Sequence, residues 1–199
     1  DYLDLLVRDL LTISQMETGQ IKMKMEAFDI ISLVQETVEQ IEPISLSKNI
    51  KISIIKKDLK SLIVLADYYR IFQVLKNLLS NAIKYSEDNS EIEIQLEKRK
   101  KVVNLSVIDS GIGIPKNHRK RVFERFYRID KSRAKKKGGT GLGLAIVKHI
   151  IEGHKTKIKL KSKINHGSRF SFNLKLAPNK KRKKKSLRKI LKKQEVASL

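Results

Sequence analysis

The sequence predicts an α/β two-layer sandwich, a mixed β-sheet with helices on one face, preceded by a partial helical-bundle segment. Stretches whose apolar residues follow helical spacing alternate with stretches in which every second residue is apolar. Some strand candidates lie close enough in sequence to form hairpins, whereas others are separated by helices. This order of elements favours one sheet covered on one side by a layer of helices.

The composition limits the possible function classes. The chain has 199 residues, with 44 Lys+Arg, 21 Asp+Glu and a formal net charge of +23. It contains no cysteine, which excludes disulfides, thiolate zinc sites and a thiol nucleophile. No run reaches the roughly 18 consecutive apolar residues of a membrane span. Because the first residue is Asp1 rather than Met, we interpret the chain as part of a longer protein.

The first element is a helix over residues 1–17. Its apolar residues follow the 3-4-3 spacing of a bundle seam, at Leu3, Leu6, Leu10 and Ile13. One helix cannot bury this seam alone, so we expect residues 1–20 to belong to a helical bundle completed by other helices or by a second chain. The alternative is packing against the globular part of the same chain. We assign residues 21–28 to a linker.

The second part, residues 29–177, carries the predicted sandwich. Its first helix spans 29–42, between an Asp29 cap and Pro43. Alternating apolar residues predict the strands, and 3.6-residue spacing predicts the other helices. In order, we predict strands 50–55 and 62–65, helix 67–85, strands 91–97 and 102–108, a glycine loop 109–114, helix 115–126, a basic loop 129–141, helix 142–151, and strands 156–162 and 168–176.

The third part, residues 178–199, is a basic tail that we expect to be disordered. Residues 179–199 contain ten Lys or Arg and one acid, which contributes +9 of the net +23. Leu187, Ile190 and Leu191 form the alternative, a short basic amphipathic face that contacts nucleic acid or an anionic membrane.

The helix over 67–85 carries a polar stripe. Asn77, Asn81 and Lys84 stand at positions i, i+4 and i+7, with Tyr85 beside them, while the opposite surface is apolar. An Asn carbonyl oxygen is a hard ligand for Mg²⁺, and a lysine neutralises phosphate charge. The stripe therefore suits a cation–phosphate group, although a solvated polar face is the alternative.

Two glycine-rich segments carry the other polar signals. Asp109, directly after a strand, is placed to accept a hydrogen bond from an amine such as that of adenine, and Gly111 and Gly113 allow close approach of a flat ring. A plain strand-to-helix turn is the alternative. The run over 138–144 opens a helix and leaves backbone N–H groups for an anion, with a flexible lid as the alternative.

A short aromatic segment lies between these glycine runs. Phe123 and Phe126 are expected to anchor in the core, and Arg128, with Arg133 or Lys137 on the loop, to reach phosphates.

The order of these motifs resembles the ATP-binding catalytic domain of bacterial sensor histidine kinases, over about residues 1–177. The resembling segments are an N box at 77–86, a G1 box at 109–113, an F box at 123–128 and a G2 box at 139–144. The resemblance implies the ATPase fold of histidine kinases, gyrase and the heat-shock chaperone.

The resemblance also implies that the site binds ATP with Mg²⁺. Asn81 would ligate Mg²⁺ beside Asn77, Lys84 and Tyr85 would meet the phosphates, and Asp109 would read the adenine amine. The other residues implied in ATP binding are Gly111, Gly113, Ile114, Tyr127, Arg128, Gly139, Thr140, Gly141, Leu142, Gly143 and Leu144. The lid would span roughly 128–141.

Asn77 stands where gyrase and the chaperone carry a glutamate general base. An amide accepts no proton at neutral pH, so we predict slow hydrolysis of ATP and transfer of its γ-phosphoryl group to a histidine. Residues 1–18 resemble the second helix of the dimerisation and phosphotransfer region, without the first helix and its acceptor. None of His118, His149, His154 and His166 has the acceptor context, and we expect them at the surface.

The resemblance implies partners and a location as well. We expect a response regulator as the phosphoryl receiver, a homodimer through the helical region, a cytoplasmic location for this portion and a membrane-anchored parent protein. The alternative function is a nucleotide-responsive binding module that performs no phosphotransfer.

Overall fold

The computed structural model describes residues 2–18, 22–57, 60–129 and 139–178. Within these ranges the chain forms four helices and seven strands. The helices are α1 (Tyr2–Glu17), α2 (Ile30–Leu46), α3 (Tyr68–Tyr85) and α4 (Gly143–Gly153). The strands are β1 (Met25–Asp29), β2 (Lys51–Ile55), β3 (Ile63–Asp67), β4 (Glu91–Arg99), β5 (Val102–Asp109), β6 (Lys159–Ser162) and β7 (Ser168–Leu176).

The strands form one mixed sheet in the order β1-β3-β7-β5-β4-β2, with β6 paired to β7. β2 and β4 run parallel, and the other neighbours are antiparallel. Buried and less buried side chains alternate along the first six residues of β4, the first four of β5 and the first seven of β7, as expected for a sheet with one covered face. The predicted α/β two-layer sandwich is confirmed.

The core lies between this sheet and the helices. α3 contacts both α2 and α4 and contributes Leu75 and Leu79, which have no exposed surface. From the sheet, Ile94, Leu105 and Phe172 are buried against the same cluster. Burying a large apolar side chain contributes about 1.5–3 kcal/mol, so this packing holds α3 and its polar stripe in place.

Two predicted boundaries were wrong. The predicted linker 21–28 contains most of β1, which pairs with β3 along its whole length; the short Met25–Asp29 segment has too few apolar residues to reveal its edge position. Pro43 does not end α2, which continues to Leu46. A proline costs a helix one N–H hydrogen bond, and burial of Ile41 and Ser45 around it outweighs that loss.

The predicted helix over 115–126 was also wrong. The structure has two 3₁₀ turns there, Lys116–His118 and Arg121–Phe123. Basic residues crowd this segment, and Val122 is its buried side chain, so little packing favours a full helix. Phe126 has a left-handed φ of 57° and is 55% exposed, so it is not the core anchor we expected.

One part of the apolar seam of α1 packs against this chain's own core, and the other part is left for a helical bundle. Ile13 is 1% exposed and belongs to the core of this chain, and α1 contacts α4. Leu3, Val7, Leu10 and Leu11 remain exposed. The helix therefore docks by its C-terminal half, and the bundle stays a prediction for the remaining apolar face.

Three sequence predictions fall wholly or partly outside the described residues. They are the central part of the basic loop, including Arg133 and Lys137, the glycine at 138, and the basic tail from 179 onward. No helix in the described part of the chain has the length and apolar character needed to cross a membrane.

Candidate functional site

The polar stripe of α3 is held from both ends of the helix. Asp67 caps the N-terminus, where one carboxylate oxygen accepts the N–H of Arg70 at 3.1 Å and the other accepts that of Lys24 at 2.8 Å. At the C-terminal end, Lys48 Nζ donates to the carbonyls of Ile83 at 2.9 Å and Ser86 at 2.6 Å. A cation at these carbonyls complements the helix dipole. These contacts fix the axial position of the Asn and Lys side chains.

His154 connects α3 to α4. Its Nε2 accepts the backbone N–H of Asp67 at 2.9 Å, and its Nδ1 lies 2.7 Å from the carbonyl of Ile150. The two contacts require the neutral tautomer with the proton on Nδ1. His154 is 7% exposed, so its predicted surface position was wrong. It joins the start of the helix that bears Asn77 to the end of the helix that follows the glycine run.

The glycine run over 139–144 meets the polar stripe directly. Asn77 Nδ2 donates to the carbonyl of Gly143 at 3.3 Å. Lys84 Nζ lies so close to Gly139 that a methyl group there would be 2.7 Å from it. Arg128 Nη1 donates to the carbonyl of Gly139 at 2.9 Å. The structure thus brings three sequence-predicted side chains, those of Asn77, Lys84 and Arg128, to one backbone segment.

Asn81 supplies the polar group that this arrangement leaves available. Its side chain is half-buried one turn beyond Asn77, and no residue of the described ranges hydrogen-bonds its amide. A partly desolvated amide oxygen is a hard donor of the kind that Mg²⁺ takes, and Lys84 follows Asn81 by three positions on the same face of α3. The Asn81 side chain therefore fits a divalent cation as one ligand.

Asp109 stands at the end of β5 on the second glycine segment. Its Oδ1 accepts the backbone N–H groups of Gly111 at 3.0 Å and Ser168 at 3.2 Å. Within the described residues no donor bonds Oδ2. Burial raises the pKa of the Asp109 carboxyl above its usual value, and the two N–H donors oppose that rise. The backbone therefore fixes one oxygen of this carboxylate and leaves the other without a hydrogen-bond donor from the described residues.

Close backbone contacts explain the glycines near Asp109. A methyl group at Gly111 would overlap the carbonyl of Tyr85, and the N–H of Ile112 donates to that carbonyl at 3.3 Å. Gly113 has a φ of +69°, and a methyl group there would overlap the carbonyl of Lys163. These contacts join the end of α3 to the Asp109 loop, so both halves of the site share one backbone framework.

Gly167 is a supporting residue that the sequence reasoning missed. Its φ is +75°, and a methyl group there would overlap the carbonyl of Asp109. The N–H of Gly167 also donates to the carbonyl of Gly111 at 2.9 Å. The signal available in the sequence was a glycine directly before a strand, but only the pairing of β7 with β5 places it against Asp109.

Thr140 connects the glycine run to α1. Its hydroxyl accepts the N–H of Leu142 at 3.2 Å and donates to Asp9 Oδ2 at 2.9 Å. Burial raises the pKa of Asp9, and this hydrogen bond opposes the rise. The position of α1 is thereby coupled to the backbone beside Lys84 and Asn77.

The other predicted site residues have contacts that connect them less directly to the polar stripe of α3. Tyr127 bonds His118 through its hydroxyl, and its ring lies under the Arg121 guanidinium. Tyr85 is 39% exposed, with Lys84 Nζ 5.4 Å from its ring centre. The remaining ones are Ile114, whose N–H donates to Ser162, Gly141 with a φ of +74°, buried Leu142, and Leu144, which packs on the core. Their roles in ATP binding stay predictions.

The chain is similar to proteins of known family. Residues 66–178 match the family model described as histidine kinase-, DNA gyrase B- and HSP90-like ATPase. Sensor-like histidine kinase SenX3 of Mycolicibacterium smegmatis is 37% identical over 169 residues, which cover 85% of this chain and 44% of that protein. Sensor histidine kinase WalK of Bacillus subtilis is 36% identical over 172 residues, 85% of this chain and 28% of that protein. The chain thus spans less than half of either relative.

The fold is also similar to that of solved histidine kinase structures. The catalytic domain of histidine kinase ThkA superposes with a TM-score of 0.68 at 33% identity, over 77% of this chain and 97% of that one. Full-length ShkA gives a TM-score of 0.79 at 27% identity, over 90% of this chain and 37% of that one. This chain therefore belongs to the histidine kinase-, DNA gyrase B- and HSP90-like ATPase family, and within it to the ATP-binding catalytic domains of sensor histidine kinases.

Proposed function

We propose that the chain is the catalytic portion of a two-component sensor histidine kinase, which binds ATP with Mg²⁺ and transfers the γ-phosphoryl group to a histidine elsewhere in the whole protein. The observation that carries this proposal is the meeting of Asn77, Lys84 and Arg128 at the glycine run, with the half-buried amide of Asn81 one helical turn beyond Asn77. ShkA, which has the same fold, is described in complex with the ATP analogue AMPPNP.

Each side chain has a distinct part in binding. Asp109 Oδ2 accepts the exocyclic amine of adenine, while Oδ1 stays fixed by its two backbone donors. Lys84 and Arg128 neutralise phosphate charge near Gly139. Asn81 would hold Mg²⁺, which supplies further neutralisation of the triphosphate when bound. Asn77 orients the start of α4 through Gly143.

The transfer step needs positioning more than covalent help from this domain. An imidazole nitrogen of the acceptor attacks the γ-phosphorus, the bond to the β,γ-bridging oxygen breaks, and ADP leaves. The amide of Asn77 accepts no proton, so water near the γ-phosphate is not activated by it. We therefore expect hydrolysis to be slow compared with transfer to a correctly placed histidine.

The proposal extends to domain organisation and partners. Residues 1–20 form part of the dimerisation and phosphotransfer region, and the exposed Leu3, Val7 and Leu10 face its other helices in a homodimer. Residues 29–177, extended by β1, form the catalytic domain. A response regulator receives the phosphoryl group; ThkA is described in complex with response regulator TrrA. This portion lies in the cytoplasm of a membrane-anchored parent.

A second candidate function is a nucleotide-responsive binding module without phosphotransfer. The hydrogen bond from Thr140 to Asp9 favours it, because nucleotide at the glycine run and the position of α1 are then linked. In this case ATP alters the surface that α1 presents to a partner, and no phosphoryl group moves.

Labelled ATP separates the two candidates. The chain alone should stay unlabelled when incubated with γ-labelled ATP and Mg²⁺, because none of its four histidines lies in an acceptor context. Addition of the acceptor helix of a sensor kinase should produce acid-labile label on that helix. Strong labelling of the chain itself would contradict the first candidate as stated, and nucleotide-dependent partner affinity without any transfer would favour the second.

Replacement of Asn81 by Ala should weaken ATP binding only when Mg²⁺ is present. Because the amide supplies a metal ligand rather than a direct phosphate contact, we expect a loss of roughly tenfold, about 1.4 kcal/mol, with Mg²⁺ and little change with a chelator. Calorimetric titration under both conditions measures the difference. Ser80→Ala, at the exposed neighbouring position of α3, serves as the control. Equal losses with and without metal would reject Asn81 as the ligand.

A further inference from the structure

A basic groove lies apart from the nucleotide residues, between the two 3₁₀ turns, the outer side of α4 and β6. Its volume is about 410 Å³, and its floor is apolar, formed by Phe123, Ile158 and Leu160. Phe123 is half-buried and packs edge-on against Phe170 with ring centres 6.3 Å apart. The floor is therefore supported by the core and available to a further apolar side chain.

The edge of the basic groove is strongly positive. Arg119, Lys120, Lys148 and Lys157 surround the floor, with Glu152 as the acid among the lining residues. None of these four cations forms an ion pair with an acid in the described part of the chain. Arg119 Nε donates to the carbonyl of Ile114 at 3.1 Å, so its guanidinium is held at this edge. An apolar floor and cations without an acidic partner together favour an occupant with both apolar and acidic side chains.

β6 determines the shape of that occupant. In the described part of the chain β6 pairs only with β7, so its other edge has no strand partner. Along this segment Lys157, Lys159 and Lys161 are exposed and alternate with the half-buried Ile158 and Leu160. An extended segment laid beside β6 would alternate in the same way, one set of side chains over the apolar floor and the other beside the lysines.

We propose that the basic groove is a docking site for an extended acidic segment of a partner protein, in which apolar and acidic residues alternate. Backbone hydrogen bonds to the open edge of β6 align the segment, and its apolar residues cover Phe123 and Leu160. Its acidic residues pair with lysines at the edge of the groove, Lys148 and Lys157 among them. The proposal does not depend on phosphotransfer, because none of the groove residues belongs to the nucleotide site.

A peptide-binding experiment tests the proposal on the whole chain. The probe is a labelled synthetic peptide of about eight residues, within the usual length of a strand, in which Leu and Glu alternate. A matched peptide carries Gln in place of Glu, and a third has the acidic composition in a blocked rather than alternating order. At about 0.15 M salt we expect the alternating acidic peptide to bind at least tenfold more tightly than either other peptide.

Two charge-matched variants locate the binding. Lys148→Glu with Lys157→Glu should weaken the alternating acidic peptide at least tenfold, whereas Lys100→Glu with Lys101→Glu, on the exposed β4–β5 turn, should leave it within about twofold. Saturating ATP should not displace the peptide.

Three results would overturn the proposal. Absence of peptide binding would do so, as would equal losses in the two variants, which would indicate general attraction to a basic chain. Binding of phosphatidylserine vesicles or duplex DNA that is lost in the groove variant, without peptide binding, would assign the groove to a different occupant. If no peptide binds, the lysines of β6 serve only to protect an open strand edge against aggregation.

Discussion

Asp109→Asn should weaken binding of ATP by about 10- to 100-fold while leaving the fold intact. The substitution preserves an oxygen that accepts the N–H groups of Gly111 and Ser168, so the loop keeps its hydrogen bonds. The NH₂ group then occupies the place of Oδ2 and opposes the amine of adenine. Losing a hydrogen bond to a charged group costs about 1.5–3 kcal/mol, which gives the expected range. Titration with ATP measures it.

Inosine triphosphate is the matched ligand for this variant, because it carries a carbonyl oxygen where adenine carries the amine. Asp109→Asn should leave its affinity unchanged or improve it, since the new NH₂ group donates to that oxygen. Equal losses for the two nucleotides would place the ring elsewhere and remove Asp109 from adenine recognition.

The pH dependence of ATP binding gives a second test of the Asp109 assignment. Burial raises the pKa of the carboxyl, and protonation removes the acceptor, so ATP affinity should fall with decreasing pH at values above those typical of an exposed aspartate. The Asn variant should lack this pH dependence. A wild-type affinity that stays constant down to the ordinary aspartate range would contradict the assignment.

Local periodicity explains what could be predicted from the sequence. The polar stripe of α3 needs only residues a few positions apart, and its apolar opposite face is buried as expected. The hairpin of β4 and β5 was readable for the same reason, because each strand alternates and the turn is short. The glycine runs predicted close backbone approaches but not which atoms approach.

Long-range contacts explain what could not be predicted. His154 and Asp67 are 87 positions apart, and nothing near either residue predicts that a buried imidazole caps the peptide before α3. Gly167 and Thr140 show the same difficulty, since their roles depend on β7 pairing beside Asp109 and on α1 docking against α4. The five residues of β1 are too few to show an alternating apolar pattern, so the strand is recognised only from its pairing with β3.

Gly113→Ala should strongly destabilise the chain. The residue has a φ of +69°, which costs an L-amino acid about 1–2 kcal/mol, and the added methyl group would overlap the carbonyl of Lys163, a backbone atom that moves only with its loop. We expect the free energy of unfolding to fall by at least about 2 kcal/mol. For a domain of this size that corresponds to a melting temperature lower by roughly 4–8 °C.

Gly143→Ala gives the matched comparison, because the same methyl group meets a different environment. Gly143 opens α4, where alanine is favoured over glycine, and the nearest atom would be Asn77 Cγ at an ordinary 3.6 Å. Its free energy of unfolding should therefore stay within about 1 kcal/mol of the wild type. Urea titration of both variants measures the contrast. Equal stabilities would mean that the loop at Gly113 yields to the methyl group, and that the framework joining Asp109 to α3 is softer than its contacts indicate.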